Sequence, residues 1–372
     1  MNKSIRRGWN NTILGEVLTF KRGFDITKKQ LRHGKYDVIF SSGFGGKHND
    51  YKVKAPGVVI GRKGTLGKVF FAEKNFWATD TTLWVKDFHG NNEKFAYYFL
   101  HTMNLEQYDC GSANPTLNRN HIHSLPVSYP PLPTQKKIAS ILSAYDDLIE
   151  NNNRRIKILE EMAQTLYQEW FVKFRFPGHE QVKMVESELG LIPEGWEVKK
   201  LGDVVELAYG KSLKAKDRQG GEIAVYGSSG VIGYHSQYLV KAPGIIVGRK
   251  GNVGKVFWSD TNFYPIDTVY YVQTRVCLYY VYFNLQNQNF INNDAAVPGL
   301  NRNQAYSLSF LLPNKDLLNK FQPFVSLIFN QIKQLNQKNN NLEKTRDLLL
   351  PKLISGQIDV ENLDIDTGEI AA

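Results

Sequence analysis

Between residues 134 and 176 the apolar positions fall three and four apart: Ile138, Ile141, Leu142, Tyr145, Leu148, Ile149, Ile156, Leu159, Ala163, Leu166 and Trp170. No Gly or Pro interrupts the run, and the spacing predicts one long amphipathic helix. Pro133 stands just before it and Pro177-Gly178 just after, residue types that begin and end helices. As a helix, residues 134–171 would span about 57 Å, too long for the stripe to be buried inside one small domain. A second stripe of similar length, residues 317–354, carries Phe321, Phe324, Val325, Ile328, Ile332, Leu335, Leu342, Leu349 and Leu353. An offset of 183 lays Ile138, Leu159 and Leu166 on Phe321, Leu342 and Leu349. Two antiparallel helices packed as a coiled coil are expected. Asn152 and Asn339 are the polar positions expected to meet and fix their alignment.

Outside the stripes the period shortens. Residues 58–60 and 68–71 read as strands joined by a Gly-rich turn, and residues 93–105 as a helix. Residues 41–71 return as residues 228–258, with 19 of 31 positions identical at an offset of 187. The same offset pairs Trp9 with Trp196, Leu14-Gly15 with Leu201-Gly202, and Asp80-Thr81 with Asp267-Thr268. Further on, the offset of 183 pairs Leu117-Asn118-Arg119-Asn120 with Leu300-Asn301-Arg302-Asn303. The chain is therefore read as a tandem duplication: a mixed α/β (α+β) domain followed by a long helix, twice, related by a pseudo-two-fold. The expected division is a domain at 1–133, a helix at 134–177, a linker and second domain at 178–313, a second helix at 314–356, and an acidic tail at 357–372. A short helix is expected in the linker.

Composition narrows the function. The 372 residues have room for two or three domains, and 42% apolar content with 6 Trp, 19 Tyr and 21 Phe excludes a disordered chain. Cys110 and Cys277 do not occupy equivalent positions, which argues against a disulfide or a zinc site and suits a reducing cytoplasm. The start lacks the apolar core of a signal peptide, and no run is long enough to span a membrane. With 46 Lys and Arg against 36 Asp and Glu, the net charge of +10 points toward a polyanion.

GRKGTLGK at 61–68 and GRKGNVGK at 248–255 invite a phosphate-loop reading. They fail it: five residues rather than four separate the outer glycines, and Val69 or Val256 follows the lysine. The glycines then serve a tight turn. Arg62, Lys63 and Lys68, with Arg249, Lys250 and Lys255, suit either phosphate contact or plain solvation. Asn118, Arg119, Asn301 and Arg302 are side chains that read base edges or hold phosphates; equally, each Asn suits capping the segment that follows. His48 and His235 lack neighbouring ligands at metal spacing and are read as structural. No catalytic constellation and no metal-ligand set emerges.

Five stretches, in this order, carry a family resemblance: APGVVIGRKGTLGKVFF with its second copy, LNRNHIHSLPVSYPPLPTQKKIASIL, EEMAQTLYQEWFVKFRFPG, IPEGWEVKKLGDV and RDLLLPKLISGQID. They resemble the specificity subunit of Type I restriction-modification systems over nearly the whole chain. The second copy departs at its helix entry, where LLPNKDLLNK replaces YPPLPTQKK. The resemblance implies two DNA target-recognition domains, each reading half of a split double-stranded DNA sequence, held apart by the two helices. It implies no catalytic activity and no cofactor in this chain. Two methyltransferase subunits would bring S-adenosylmethionine for adenine N6 methylation, and restriction subunits would bring ATP and Mg chemistry. Stretches that differ between the copies (24–40 and 83–116; 211–227 and 269–299) are expected to discriminate sequence. Trp170, near Tyr167 and Phe171, would either dock a methyltransferase or pack on Phe321. The alternative is the detached recognition half of a single-chain restriction-methyltransferase, which would need a catalytic domain ahead of Trp9.

Overall fold

The repeat in the sequence becomes a repeat of topology in the computed structural model, which describes residues 8–31, 33–110, 115–218, 220–290 and 299–367. Two units divide the chain, one drawn from Met1–Asn151 and Lys338–Ala372, the other from Asn152–Gln337. In the first, β1 (Asn10–Ile13), α1 (Leu14–Val17) and β2 (Thr19–Arg22) lead into β3 (Tyr36–Phe40), β4 (Gly43–His48), β5 (Gly57–Gly61), β6 (Val69–Ala72), β7 (Phe76–Ala78) and β8 (Thr82–Asp87). Next come α2 (Glu93–His101), α3 (Arg119–His123), β9 (Pro126–Tyr129) and the long α4 (Leu132–Tyr167). The hairpin β10 (Met184–Ser187) and β11 (Gly190–Pro193) precedes β12 (Glu197–Lys200), α5 (Leu201–Val204) and β13 (Val205–Tyr209). Then follow β14 (Ile223–Gly227), β15 (Gly230–His235), β16 (Gly244–Gly248), β17 (Val256–Ser259), β18 (Phe263–Pro265) and β19 (Val269–Thr274). α6 (Leu278–Asn287), α7 (Arg302–Tyr306), β20 (Ser309–Leu312) and α8 (Lys315–Ile354) complete the order.

The sheet orders match element by element. β2-β8-β5-β6 corresponds to β13-β19-β16-β17, β4-β3-β7 to β15-β14-β18, and β1-β9 to β12-β20. The apolar runs explain the centres: every residue of β5 and of β16 is buried, as a strand covered on both faces requires. At the end of β5 the chain turns tightly, the Gly67 N–H donating to the Gly61 carbonyl at 2.9 Å. Gly64 and Gly67 hold φ of 77° and 70°, and Gly251 and Gly254 hold 81° and 73°, the left-handed region that favours glycine.

The long helices close each core. In the first unit Ile138, Ala139 and Leu142 of α4 join Leu353 and Ile354 of α8 and Phe95, Tyr98 and Phe99 of α2. In the second, Ala163 and Tyr167 of α4 with Trp170 and Phe171 meet Phe321, Val325 and Phe329 of α8. The beginning of one helix thus packs with the end of the other in each unit, so they run antiparallel. Trp170 is 7% exposed and packs against Phe321 at 5.8 Å between ring centroids, within the core. Leu335, Asn152 and Asn339 are buried; Leu159, Leu166, Leu342 and Leu349 are half-buried.

Three expectations need correction, and a fourth, the linker, holds more than was expected. α4 begins at Leu132, because Pro133 is tolerated in a first turn where its missing N–H has no partner to lose. The expected helix at 93–105 stops at His101; Asn104 takes φ 47°, and a 3-10 turn, Leu105–Tyr108, follows. The linker holds a short 3-10 helix, His179–Gln181, but its main element is the β10–β11 hairpin, whose Ile192 is buried in the second core. The tail is packed: Val360 is 1% exposed, and Lys137 Nζ donates to the carbonyls of Glu361 (2.7 Å) and Leu363 (2.8 Å).

One position pair distinguishes the two helix junctions. In the first unit Arg346 Nη1 of α8 donates to Asp146 Oδ1 of α4 at 2.6 Å, and Tyr98 Oη of α2 donates to the other carboxylate oxygen. Burial and that carboxylate together push the Tyr98 hydroxyl far above the usual tyrosine range. At the offset of 183, Asp146 becomes Phe329 and Arg346 becomes Ala163. Tyr98 and Phe283 are each the sixth residue of their helix, and the Phe283 ring packs against Phe329 at 6.1 Å. An ionic junction in one unit is an apolar one in the other. Arg346→Ala should therefore cost about 1–3 kcal/mol by stranding the carboxylate. Asp146→Phe combined with Arg346→Ala should recover part of that loss, measured by urea denaturation. A double variant no more stable than the single one would show that the junctions are not interchangeable.

Candidate nucleic-acid interface

The residues singled out at 62–63 and 118–119 lie far apart in sequence, and main-chain bonds bring them together. The Leu117 N–H donates to the Arg62 carbonyl at 2.9 Å, beside a bridge between Lys63 and Thr116. In the second unit the Leu300 N–H donates to the Arg249 carbonyl at 2.8 Å, beside a bridge between Lys250 and Gly299. Next in the chain, Asn118 Oδ1 accepts from the Asn120 N–H at 2.9 Å and starts α3. Asn301 Oδ1 accepts from the Asn303 N–H (2.9 Å) and the Gln304 N–H (3.2 Å) and starts α7. Both oxygens therefore cap helices, the role left open beside base reading. Each cap sets an arginine, Arg119 or Arg302, at the first helical position.

A cleft forms at each meeting point. The first, about 460 Å³, is lined by Arg22, Arg62, Leu83, Asn118 and Arg119 among others. The second, about 410 Å³, has Tyr209, Arg249, Lys250, Tyr270, Asn301 and Arg302. Lys63 is exposed and does not line the first cleft. Lys68 and Lys255 are not brought in: their ammonium groups lie over Phe70 (5.5 Å) and Phe257 (5.2 Å). Arg22 and Tyr209 belong to no motif, whereas Leu83 and Tyr270 fall in the stretches expected to discriminate sequence. The offset of 187 pairs Arg22 with Tyr209 and Leu83 with Tyr270; because the types of Arg22 and Tyr209 differ and they lie outside the divergent stretches, repetition could not flag that pair.

The arginines are held in defined ways. Arg62 Nη1 donates to the Asp80 carbonyl at 3.3 Å, and Arg249 Nη1 to the equivalent Asp267 carbonyl at 2.8 Å. The Arg249 and Arg302 guanidiniums lie 5.0 and 4.9 Å from the Tyr209 ring centroid. Burial, with the neighbouring Tyr209 hydroxyl, pushes Tyr270 up to about 12 despite the opposing pull of Arg249. A larger cleft of about 830 Å³ in the second unit is walled by Trp258, Tyr282 and Phe329, and its charged residues are Glu160, Glu161 and Asp260. An acidic, aromatic cleft is the wrong sign for a polyanion.

His48 Nδ1 accepts from the Asp50 N–H at 2.9 Å, and His235 sits edge-on to Tyr264 at 5.5 Å. Among the described residues no group of three His, Cys, Asp or Glu is placed to hold a metal, and no helix is long and apolar enough to cross a membrane. Residues 111–114 and 291–298, within two of the stretches expected to discriminate sequence, lie outside the described residues.

Known proteins match this organisation. The family model described as Type I restriction modification DNA specificity domain matches residues 6–161 and 193–344. The Type I restriction enzyme MjaIX specificity subunit of Methanocaldococcus jannaschii is 25% identical over 312 residues, covering 73% of this chain and 70% of the relative. The HindI specificity subunit of Haemophilus influenzae is 24% identical over 329 residues, covering 66% of this chain and 71% of the relative. The crystal structure of a Type-I restriction-modification system S subunit from M. genitalium superposes with a TM-score of 0.63 at 20% identity, covering 95% of this chain and 97% of that one. At that identity the likeness concerns the fold.

Behind each cleft, one side chain fastens the site strand to the capped helix. His123 Nε2 accepts from the Phe20 N–H at 2.9 Å, and its equivalent Tyr306 accepts through Oη from the Leu207 N–H at 3.0 Å. Burial, aided by Arg119, lowers the His123 pKa, consistent with a neutral ring whose Nε2 keeps its lone pair. A lowered folded-state pKa means that this contribution is complete above the unfolded value, near 6.5, and is lost as pH falls through the folded one. His123→Gln keeps an accepting oxygen without titrating. Its stability deficit against wild type should narrow between pH 7 and pH 5, read from urea midpoints; a constant gap would refute the neutral acceptor.

Proposed function

The chain belongs to the Type I restriction modification DNA specificity family, and on that premise we propose that each of its two units binds one half of a split double-stranded DNA target. The observation that carries this reading is the cleft built twice, with Arg62, Asn118 and Arg119 in one unit and Arg249, Asn301 and Arg302 in the other. Guanidiniums at a capped helix start suit phosphate oxygens, and the net charge of +10 supplies the sequence-independent attraction. Residues common to both clefts fix the protein on the backbone, and residues that differ discriminate sequence. Lys63, Lys68 and Lys255 add to the positive field around them.

In this reading the chain is a recognition subunit without chemistry of its own. Methyltransferase subunits with S-adenosylmethionine modify adenine N6 at the bound site, and restriction subunits with ATP and Mg cleave unmodified DNA. The work takes place in the cytoplasm. Co-expression with its methyltransferase, followed by sequencing of methylated positions, should return a two-part motif, whereas the purified chain alone should neither methylate nor cut. Methyl transfer by the isolated chain would overturn the assignment. Arg62→Ala or Arg249→Ala should weaken DNA binding across sequences and reduce the salt dependence by a slope of about one for each phosphate no longer neutralised. A changed motif at unchanged affinity would mean that these arginines read bases.

A further inference from the structure

The two clefts share their arginines, caps and main-chain stitching, and they part company at the last residue of the strand that enters each. β2 ends in Arg22 and β13 in Tyr209. Arg22 is half exposed and gripped by carboxylates, its Nη2 lying 2.7 Å from Asp25 Oδ1 and 3.5 Å from Asp80 Oδ2. Tyr209 is 47% exposed and carries the Arg249 and Arg302 guanidiniums on its ring. One site therefore presents a third guanidinium, ion-paired at Nη2; the other presents an aromatic ring that holds two guanidiniums.

We propose that the strand-end residue of the first unit discriminates sequence, Arg22 reading a guanine edge in its half-site, whereas Tyr209 at the matching place only sets the poses of the shared Arg249 and Arg302. This rests on the DNA-binding reading above. The chemistry follows from the bracing. Arg22 presents a planar fork of donors; its Nη2 donates to Asp25 Oδ1, with Asp80 Oδ2 beside the same nitrogen, which occupies one end of the fork and leaves the remaining N–H groups for a paired acceptor. Guanine O6 and N7 form that acceptor pair in the major groove, and no other base offers two acceptors so placed. A guanidinium meant only for phosphate gains nothing from two neighbouring carboxylates, which cancel part of its charge. Tyr209 has no fork. Its ring attracts the two shared arginines through its face, which lowers the entropy they lose on engaging DNA.

The test is to sequence methylated positions in cells carrying the methyltransferase with wild-type, Arg22→Lys, Tyr209→Arg or Tyr209→Phe chains. A wild-type motif in two parts is the reading on which the proposal rests; its absence would sink that reading first. Given that motif, Arg22→Lys keeps the charge and loses the fork. It should relax one guanine position in one half-site, by roughly tenfold or more in preference, with the other half-site untouched. Tyr209→Phe should keep the motif, since the ring face remains. Tyr209→Arg should alter the half-site of the second unit alone. If Arg22→Lys leaves every position of the motif as selective as before, whether or not overall methylation drops, Arg22 is a phosphate or surface ion-pair residue and the proposal is wrong. Thermal melts of each variant, compared with wild type, separate lost recognition from lost folding, and Tyr209→Arg supplies an independent test if Arg22→Lys unfolds.

Discussion

The apolar stripe along each long helix is the constraint on which everything else depends. An isolated helix gains little stability in water, and most of what holds one in a protein comes from packing its apolar face. Here the packing is shared three ways within each unit: one end of α4, the opposite end of α8, and the helix lying on the recognition sheet. Phe321, Val325, Ile138 and Leu142 are completely or almost completely buried, each side chain contributing about 1.5–3 kcal/mol of transfer free energy. Because the same core holds α2 or α6, the sheet that carries each cleft is fastened to the helices by continuous packing rather than by a tether. The tail belongs to this arrangement too, with Val360 inside the first core.

Duplication kept the backbone problem and changed the side chains that solve it. The N–H at the second residue of β2 needs an acceptor and finds His123; the N–H at the matching place in β13 finds Tyr306. The ring must pass close to a helix with no room for a side chain, so Gly15 and Gly202 face it: a Cβ there would lie 2.9 Å from His123 Cβ and 2.8 Å from Tyr306 Cβ. The helix junction shows the same freedom, ionic in one unit and aromatic in the other. Substitutions on either side of such pairs are therefore coupled, and a single change tests a mismatch rather than an alternative.

How much could be read beforehand follows from the same logic. The stripes and the offsets of 187 and 183 exposed the duplication, the antiparallel helices and the fully apolar strands β5 and β16, because burial imposes a period on residue type. Residue pairs that repeat, such as Arg62 with Arg249, were visible for the same reason. Arg22 and Tyr209 were not: what they share is a place at a strand end, and place leaves no mark when the residue type changes. The hairpin at residues 184–193 was hidden because only Ile192 and Pro193 of its strands are buried, too few to set a period. The packing of Val360 was hidden by the acidic residues around it, and Lys137 holds the segment through the main-chain carbonyls of Glu361 and Leu363, not through side chains.

The clefts hold their cations by different devices, with different consequences for an anionic ligand. Arg62 and Arg249 are tethered by neutral carbonyls, those of Asp80 and Asp267. A carbonyl restrains one donor of the guanidinium and removes none of its charge, so the side chain is oriented while its full attraction for phosphate remains. Arg22 is tethered by carboxylates instead. There the charge is partly compensated and its pull on a distant phosphate is weakened, whereas one donor is directed by a charge-assisted bond to Asp25. Tyr209 is a third solution, restraining two guanidiniums through an aromatic face that also leaves their charge intact. Carbonyl and ring tethers favour affinity that is indifferent to sequence, and the carboxylate brace favours directional contact. Both kinds of restraint meet at Asp80, whose carbonyl accepts from Arg62 while its carboxylate pairs with Arg22, so one residue restrains two arginines of the first cleft.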